Sequence, residues 1–79
     1  MALSSRATDR RRDVLRKLGE SVRAFRQVRG LTQEALADSL HLSVAYVSLI
    51  ERGHRNPPYT TVIAIARALD VPPRELVVK

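Results

Sequence analysis

Apolar residues in the middle of the chain recur at a spacing that limits its fold more than any other feature. Leu36 and Leu40 are four residues apart, and Val47 and Ile50 are three apart, so each pair lies on one face of a helix. Only three or four residues separate the two segments, and Ala37 is small enough for the two helices to cross closely. The sequence therefore predicts two short helices that meet at a steep angle across a tight turn.

Helical patterns also flank this pair, and residues that end or start helices separate them. Gly30 and Gly53 are suited to end helices, Thr32 and Ser43 are suited to cap the next ones, and the segment HRNPPY is a loop. A last short helix is expected to open at Pro72 and Pro73 and to be covered by Leu76. With no strand pattern, we predict an all-α domain of five helices. The expected core positions outside the central pair are Val14, Leu18, Val22 and Phe25 in the first helix and Val62, Ile65, Ala66 and Leu69 in the fourth.

The N-terminal segment differs in composition from the rest of the chain. Residues 1–12 have few large apolar side chains and include Arg6, Arg10, Arg11 and Arg12. Such a segment buries too little surface to offset its ordering entropy. We expect a flexible basic arm over residues 1–12 and one folded domain over residues 13–79. The arginines of the arm are expected either to reach a minor groove or to stay solvated.

Size and composition argue against several classes of protein. A chain of 79 residues leaves little room for a deep catalytic cleft, and without cysteine it has no disulfide and no thiolate zinc site. His41 and His54 lie 13 residues apart on different turns, so they form neither a catalytic pair nor a closed metal shell. We expect no enzyme activity, no catalytic residues, no metal, no cofactor and no small-molecule substrate. No apolar run is long enough to span a membrane, and a cytoplasmic location is expected.

Net charge indicates the type of partner. Lys and Arg number 14 against 8 Asp and Glu, which gives a formal charge of +6. Clustered basic side chains gain free energy by releasing counterions from a polyanion, and nucleic acid and anionic membranes are the two candidates. The apolar residues are divided among several short segments instead of one long amphipathic face, so we expect nucleic acid and no membrane.

Three stretches resemble a known family: GLTQEALA at 30–37, YVSLIERG at 46–53 and IARALDV at 65–71. Together they are similar to the lambda-repressor and Cro-type helix-turn-helix regulators, also called xenobiotic-response-element-type regulators. The similarity covers residues 18–76. The stretches ALADS and YVSLIERGHRN also resemble the small controller proteins of restriction-modification systems. The resemblance implies a compact five-helix DNA-binding domain.

The resemblance also implies roles for individual residues. Residues 43–51 correspond to the recognition helix, which enters the major groove, and Gln33 to a glutamine that bonds a phosphate and braces that helix. Arg26 and Glu51 match a structural ion pair that touches no ligand, and its loss is expected to cost on the order of 3 kcal/mol. The DNA-binding residues that the resemblance implies are Gln33, Ser43, Val44, Ala45, Tyr46, Ser48, Leu49, Arg52, Arg55 and Asn56.

The sequence departs from the family pattern at two places. His41 stands where the family usually has glycine, and a residue with a Cβ is strained at positive φ. Helical geometry turns Ala45, Ser48 and Leu49 outward with Val44 beside them, so the face that would read bases has few hydrogen-bonding groups. Packing against thymine methyl groups is therefore the expected mode of base reading.

Two functions are compatible with these observations. The first is a transcription regulator that binds a two-fold symmetric, palindromic operator as a homodimer and acts as repressor or activator according to operator position. Its dimer contact is expected in the C-terminal third, at Ile63, Val77 and Val78. The alternative is a protein-interaction module in which the apolar face of helix 43–51 binds a partner helix. DNA binding falls steeply with salt, whereas an apolar protein contact does not.

Overall fold

The computed structural model describes the backbone of residues 2–77 and the side chains of residues 7–77. All regular elements in this part of the chain are helical. There are four α-helices followed by one short 3₁₀ helix. Their bounds are Ala2–Val28 (α1), Gln33–Leu40 (α2), Val44–Glu51 (α3), Tyr59–Leu69 (α4) and Pro73–Glu75 (the 3₁₀ helix).

The expected fifth α-helix is a single 3₁₀ turn, so the prediction of five helices is not confirmed. Pro72 and Pro73 both lack a backbone donor, and only three residues take part in the element. Leu76 follows the turn and is fully buried, as expected for a residue that covers the core. The C-terminal segment thus contributes one anchoring side chain and no full helix.

The first helix begins at Ala2 and not near residue 13 as the sequence analysis predicted. Alanine, leucine and arginine dominate its first turns, and all three favour helix formation. Extending an existing helix also requires no new nucleation. The prediction of a flexible arm was based on burial alone and did not include helix propensity. Residues 7–12 are exposed throughout.

The predicted helix caps and turns are confirmed. The Thr32 hydroxyl accepts a hydrogen bond from the Ala35 amide, and the Ser43 hydroxyl accepts one from the Tyr46 amide. His41 has a φ of 56° and a ψ of 38°, which is the left-handed conformation expected at the turn between α2 and α3. Its amide bonds back to the last turn of α2, so the chain leaves α2 and starts α3 within three residues.

The core lies where α1, α2, α3 and α4 meet. Val14, predicted to be a core residue, is instead 52% exposed, because it lies on the part of α1 that extends past the other helices. Phe25 and Val62 are partly buried against the core. The buried apolar residues are Leu18, Val22, Leu36, Ala37, Val47, Ile50, Ile65, Ala66, Leu69 and Leu76.

Candidate nucleic-acid interface

The α3 helix has one buried side and one accessible side. Val47 and Ile50 are each 1% exposed and pack into the core. The residues of the accessible side include Val44, which is 41% exposed, and the exposed Ala45. Ser48 and Leu49 are half-buried at its edges. A short helix fixed on one side and open on the other is the form of element that fits a major groove.

Two of the predicted interface residues also have roles within the fold. Ser43 is exposed, but its hydroxyl oxygen caps α3. Tyr46 is half-buried and packs against the core, which leaves only part of its side chain accessible. The freely accessible part of the face is therefore built mainly from Val44, Ala45 and the edge of Leu49.

A buried ion pair connects α3 to α1. Arg26 Nε donates to Glu51 Oε2 at 2.6 Å and Arg26 Nη2 donates to Glu51 Oε1 at 3.0 Å, which is a bidentate contact. Arg26 Nη1 also donates to the Leu31 carbonyl at 2.8 Å. The pKa of Arg26 is raised, chiefly by its hydrogen bond with Glu51 and despite the opposing effect of burial. The pair joins the end of α3, the last turns of α1 and the turn before α2.

Gln33 extends this network to the first residue of α2. Its Nε2 donates to Glu51 Oε1 at 3.0 Å, so the Glu51 carboxylate accepts three hydrogen bonds from two side chains. Gln33 is half-buried, and it lines a shallow groove together with Arg23, Ser48 and Arg52. The carboxamide thereby connects α2 directly to the end of α3.

The loop after α3 carries the remaining predicted contacts. Arg52, Arg55 and Asn56 are all exposed. Arg52 Nε lies 3.4 Å from the Ser48 carbonyl oxygen, so its guanidinium is held near the last turn of α3. Two arginines thus stand at the end of the accessible face, where a polyanion running past α3 would meet them.

Close backbone packing fixes α3 against α1, and the sequence analysis missed it. A Cβ added at Gly19 would lie 2.4 Å from the carbonyl oxygens of Ile50 and Glu51, and one added at Gly53 would lie 2.8 Å from the Arg16 Cα. Neither glycine leaves room for a side chain. The available signal was a glycine inside a predicted amphipathic helix. Glycine lowers helix stability at such a position, so its presence there indicates that another part of the backbone approaches closely.

Arg29 connects the end of α1 to the end of α4, a contact that was not predicted from the sequence. Its Nε donates to the Leu69 carbonyl at 2.7 Å and its Nη2 to the Asp70 carbonyl at 2.9 Å. The guanidinium therefore satisfies carbonyls at the end of α4 and lies favourably at the negative end of that helix dipole. This arginine belongs to the scaffold and is not free for a ligand.

Residues 7–77 contain no group of three or more His, Asp or Glu side chains positioned to hold a metal ion. Within the described chain no helix combines the length and apolar character that a membrane span requires.

Comparison with known proteins gives the same family from sequence and from structure. The HTH_3 helix-turn-helix family model matches residues 22–76. The control protein C.SmaI of Serratia marcescens is 38% identical over 58 residues, which cover 73% of this chain and 69% of that protein. The HTH-type transcriptional regulator YazB of Bacillus subtilis is 40% identical over 58 residues, covering 73% and 84% of the two chains.

Solved structures agree with these relatives. The restriction-modification controller protein C.AhdI of Aeromonas hydrophila superposes with a TM-score of 0.76 at 44% identity, covering 78% of this chain and 94% of that chain. A transcription factor from Neisseria superposes with a TM-score of 0.79 at 32% identity, covering 86% and 78% of the two chains. The chain belongs to the HTH_3 helix-turn-helix family of transcriptional regulators.

Proposed function

We propose that this chain is a cytoplasmic homodimeric regulator that binds a palindromic DNA operator, with residues 43–51 of each subunit in a major groove. The main support is that α3 is accessible on one side and fixed to the fold on the other. Its accessible side faces outward, while Glu51 and Gly19 fix its other side to α1. A recognition element needs this combination, because base contacts require a side chain position that does not shift when DNA binds.

Phosphate contacts position the domain in this proposal. Gln33 and Arg52 line one groove at the end of α3, and the exposed Arg55 and Asn56 follow in the loop. Because phosphates repeat along every duplex, contacts from these side chains fix orientation and register and carry no direct sequence information. The bond from Gln33 to Glu51 uses one amide hydrogen and leaves the second available for a phosphate oxygen.

Base reading in this proposal depends on apolar contact. Val44, Ala45 and Leu49 lack the paired donors and acceptors by which Arg selects guanine or Gln selects adenine. Apolar side chains in the major groove pack instead against the C5-methyl group of thymine, and Ser48 supplies a hydroxyl beside them. We therefore expect half-sites that contain thymine, with modest discrimination between related sequences.

The dimer is proposed to form through the C-terminal part of the chain. Ile63 is half-buried and lines a shallow, mainly apolar groove between α2 and α4 together with Leu40 and Ala64. Val77 is 53% exposed near the chain end, whereas Val78 lies outside the described residues. Accessible apolar groups in this part of the chain are suited to contact with a second copy of the same chain. The two recognition helices would then lie about 34 Å apart, one turn of DNA.

Regulation follows from where the operator lies. In this proposal the dimer acts as repressor or activator according to the position of the operator. No cofactor is required in either case, and no catalytic step is proposed.

Salt dependence tests the proposal against the alternative of a protein-interaction module, which the 41% exposure of Val44 also favours. A DNA-binding domain with several phosphate contacts loses about 10³-fold or more in affinity between 50 and 200 mM salt. A pool of random duplexes of about 30 base pairs serves as the probe, and an anionic lipid vesicle serves as the control polyanion. Binding to the duplex with a steep salt slope supports the proposal. No duplex binding at 50 mM salt contradicts it and leaves the protein-interaction module.

A further inference from the structure

We propose that Arg12 is an additional phosphate-binding residue, which the N-terminal part of α1 carries to the DNA immediately outside the half-site. This inference rests on the proposed DNA-binding function. The contact lies outside residues 18–76, the part of the chain with family similarity. It assigns a use to the exposed segment of α1 over residues 7–12.

The first turns of α1 extend beyond the rest of the domain. The helix has 27 residues, so its length is about 40 Å at 1.5 Å per residue. The molecule measures 42 × 24 × 20 Å, and the long dimension is therefore that of α1. Residues 7–12 are exposed, and the first buried residues of the helix are Leu18 and Gly19. Residues 7–12 thus form an exposed helical segment attached to the folded domain.

The proposed DNA-facing loop begins beside the part of α1 that directly follows this segment. Gly19 lies against the end of α3, and Gly53, the next point of contact, lies against the backbone of Leu15 and Arg16. From Ile50 to Gly53 the chain therefore moves along α1 toward its N-terminus, and Arg55 follows two residues later. Arg12 precedes Arg16 by one helical turn and lies on the same side of the helix as the position of Gly19, seven residues on. Arg12 therefore lies on the side of α1 that faces the end of α3, one helical turn before the contact with Gly53.

Charge distinguishes Arg12 from the basic residues that follow it. Arg16 pairs with Asp13 and with Glu20, and Lys17 pairs with Asp13 at 3.3 Å. The pKa of Asp13 is lowered, chiefly by its hydrogen bond with Arg16. No ion pair within residues 7–77 includes Arg12, which is exposed. A cation that no carboxylate neutralises gains most from a phosphate, because binding releases the counterion condensed there.

The reach of Arg12 fits the DNA next to a half-site. Arg12 lies four residues before Arg16, which corresponds to about 6 Å along the helix axis. Its side chain adds a similar length. Because the side chain projects across the helix axis, the two lengths set an upper limit of about three or four base pairs of B-DNA at 3.4 Å per step. We expect its contact within that interval outside the phosphates met by the loop.

Arg10 is a matched control within the same helix. It lies two residues before Arg12, which is about 200° around the helix axis, so it is on the opposite side. Arg10 is equally exposed and also has no ion pair among residues 7–77. Arg12→Gln and Arg10→Gln remove the same charge from neighbouring turns, and glutamine preserves helix propensity. Only the position of the charge relative to the loop differs.

The test measures affinity for two duplexes that contain the same selected operator with two or ten flanking base pairs on each side. For the long duplex, Arg12→Gln is expected to lower the slope of log affinity against log salt by roughly one unit per subunit, whereas Arg10→Gln changes it less. For the short duplex the two variants are expected to bind equally. Circular dichroism checks that both variants keep the helix content of the wild type.

Two results would overturn the inference while the proposed function stands. In the first, the wild type binds the long duplex with a steep salt slope and the two variants behave alike. In the second, Arg12→Gln loses as much affinity for the short duplex as for the long one. If the wild-type protein binds neither duplex at 50 mM salt, the proposed function fails and the inference fails with it.

Discussion

Gly19 lies so close to Ile50 that a single added carbon atom at Gly19 would come within 2.4 Å of the Ile50 carbonyl oxygen. Two helices approach to this distance only where one of them has no side chain. The contact places the last turn of α3 directly on the backbone of α1. The orientation of the proposed recognition helix therefore depends on the absence of a Cβ on a different helix.

Replacement of Gly19 by alanine is expected to destabilise the protein. Alanine gains about 1 kcal/mol of helix propensity over glycine, but the clash with backbone atoms forces α3 to move, at a cost of about 1–3 kcal/mol beyond that gain. Urea unfolding measures the change, with Gln27→Ala at an exposed position of α1 as the control, expected within about 0.5 kcal/mol of the wild type. A Gly19→Ala protein as stable as the wild type would show that the contact is not close in solution.

The pair of Arg26 and Glu51 gives a second prediction. Glu51→Leu leaves the buried Arg26 guanidinium without its carboxylate, and the expected loss of unfolding free energy is about 3 kcal/mol or more. Arg26→Met combined with Glu51→Leu is expected to recover a large part of that loss, because no charge remains unpaired. A double-mutant cycle from urea titrations measures the coupling. Additive effects of the two single changes would contradict the role assigned to the pair.

Arg55 gives a prediction about DNA positioning. Arg55→Ala is expected to weaken binding to all duplexes by a similar factor and to lower the salt slope by roughly one unit for each phosphate that the side chain neutralises in the wild type. Arg74→Ala, which changes an exposed arginine in the 3₁₀ helix, is the control for net charge. A changed preference among duplex sequences would instead assign Arg55 to base reading.

The apolar face of α3 gives a prediction about specificity. Replacement of thymine by uracil at the contacted positions removes only the C5-methyl group, and we expect it to weaken binding. Leu49→Ser is expected to reduce affinity for the thymine duplex and to remove most of the difference between the two duplexes. Fluorescence anisotropy on matched duplexes measures both effects. If neither change alters affinity, methyl packing is excluded as the source of specificity.

Local sequence signals predicted much of the fold. Hydroxyl residues before apolar periods located the starts of α2 and α3, because Thr32 and Ser43 satisfy free amides at helix ends. His41 was expected in the left-handed conformation and has a φ of 56°. These features depend on neighbouring residues in the chain, so the sequence contains the information needed to predict them.

Contacts between distant segments were harder to predict. The bonds of Arg29 to the carbonyls of Leu69 and Asp70 join residues about 40 positions apart, and nothing in the local pattern of either segment indicates them.

The start of α1 was predicted wrongly for a different reason. The prediction of a flexible arm depended on how little surface the arm could bury, whereas helix propensity and attachment to a stable helix decide its backbone conformation. Helical periodicity predicted the exposed Ala45, but Ser48 and Leu49, also expected to point outward, are half-buried, and Val44, expected at the flank, is 41% exposed.

Selection of bound sequences from a pool of random duplexes tests the central claim most directly, because it examines DNA binding, base preference and symmetry together. We predict enrichment of thymine-containing half-sites related by two-fold symmetry, with centres about 10 base pairs apart, as two recognition helices in successive major grooves require. Recovery of no preferred sequence, or of single half-sites with no symmetric partner, would contradict a homodimer that reads its operator through α3.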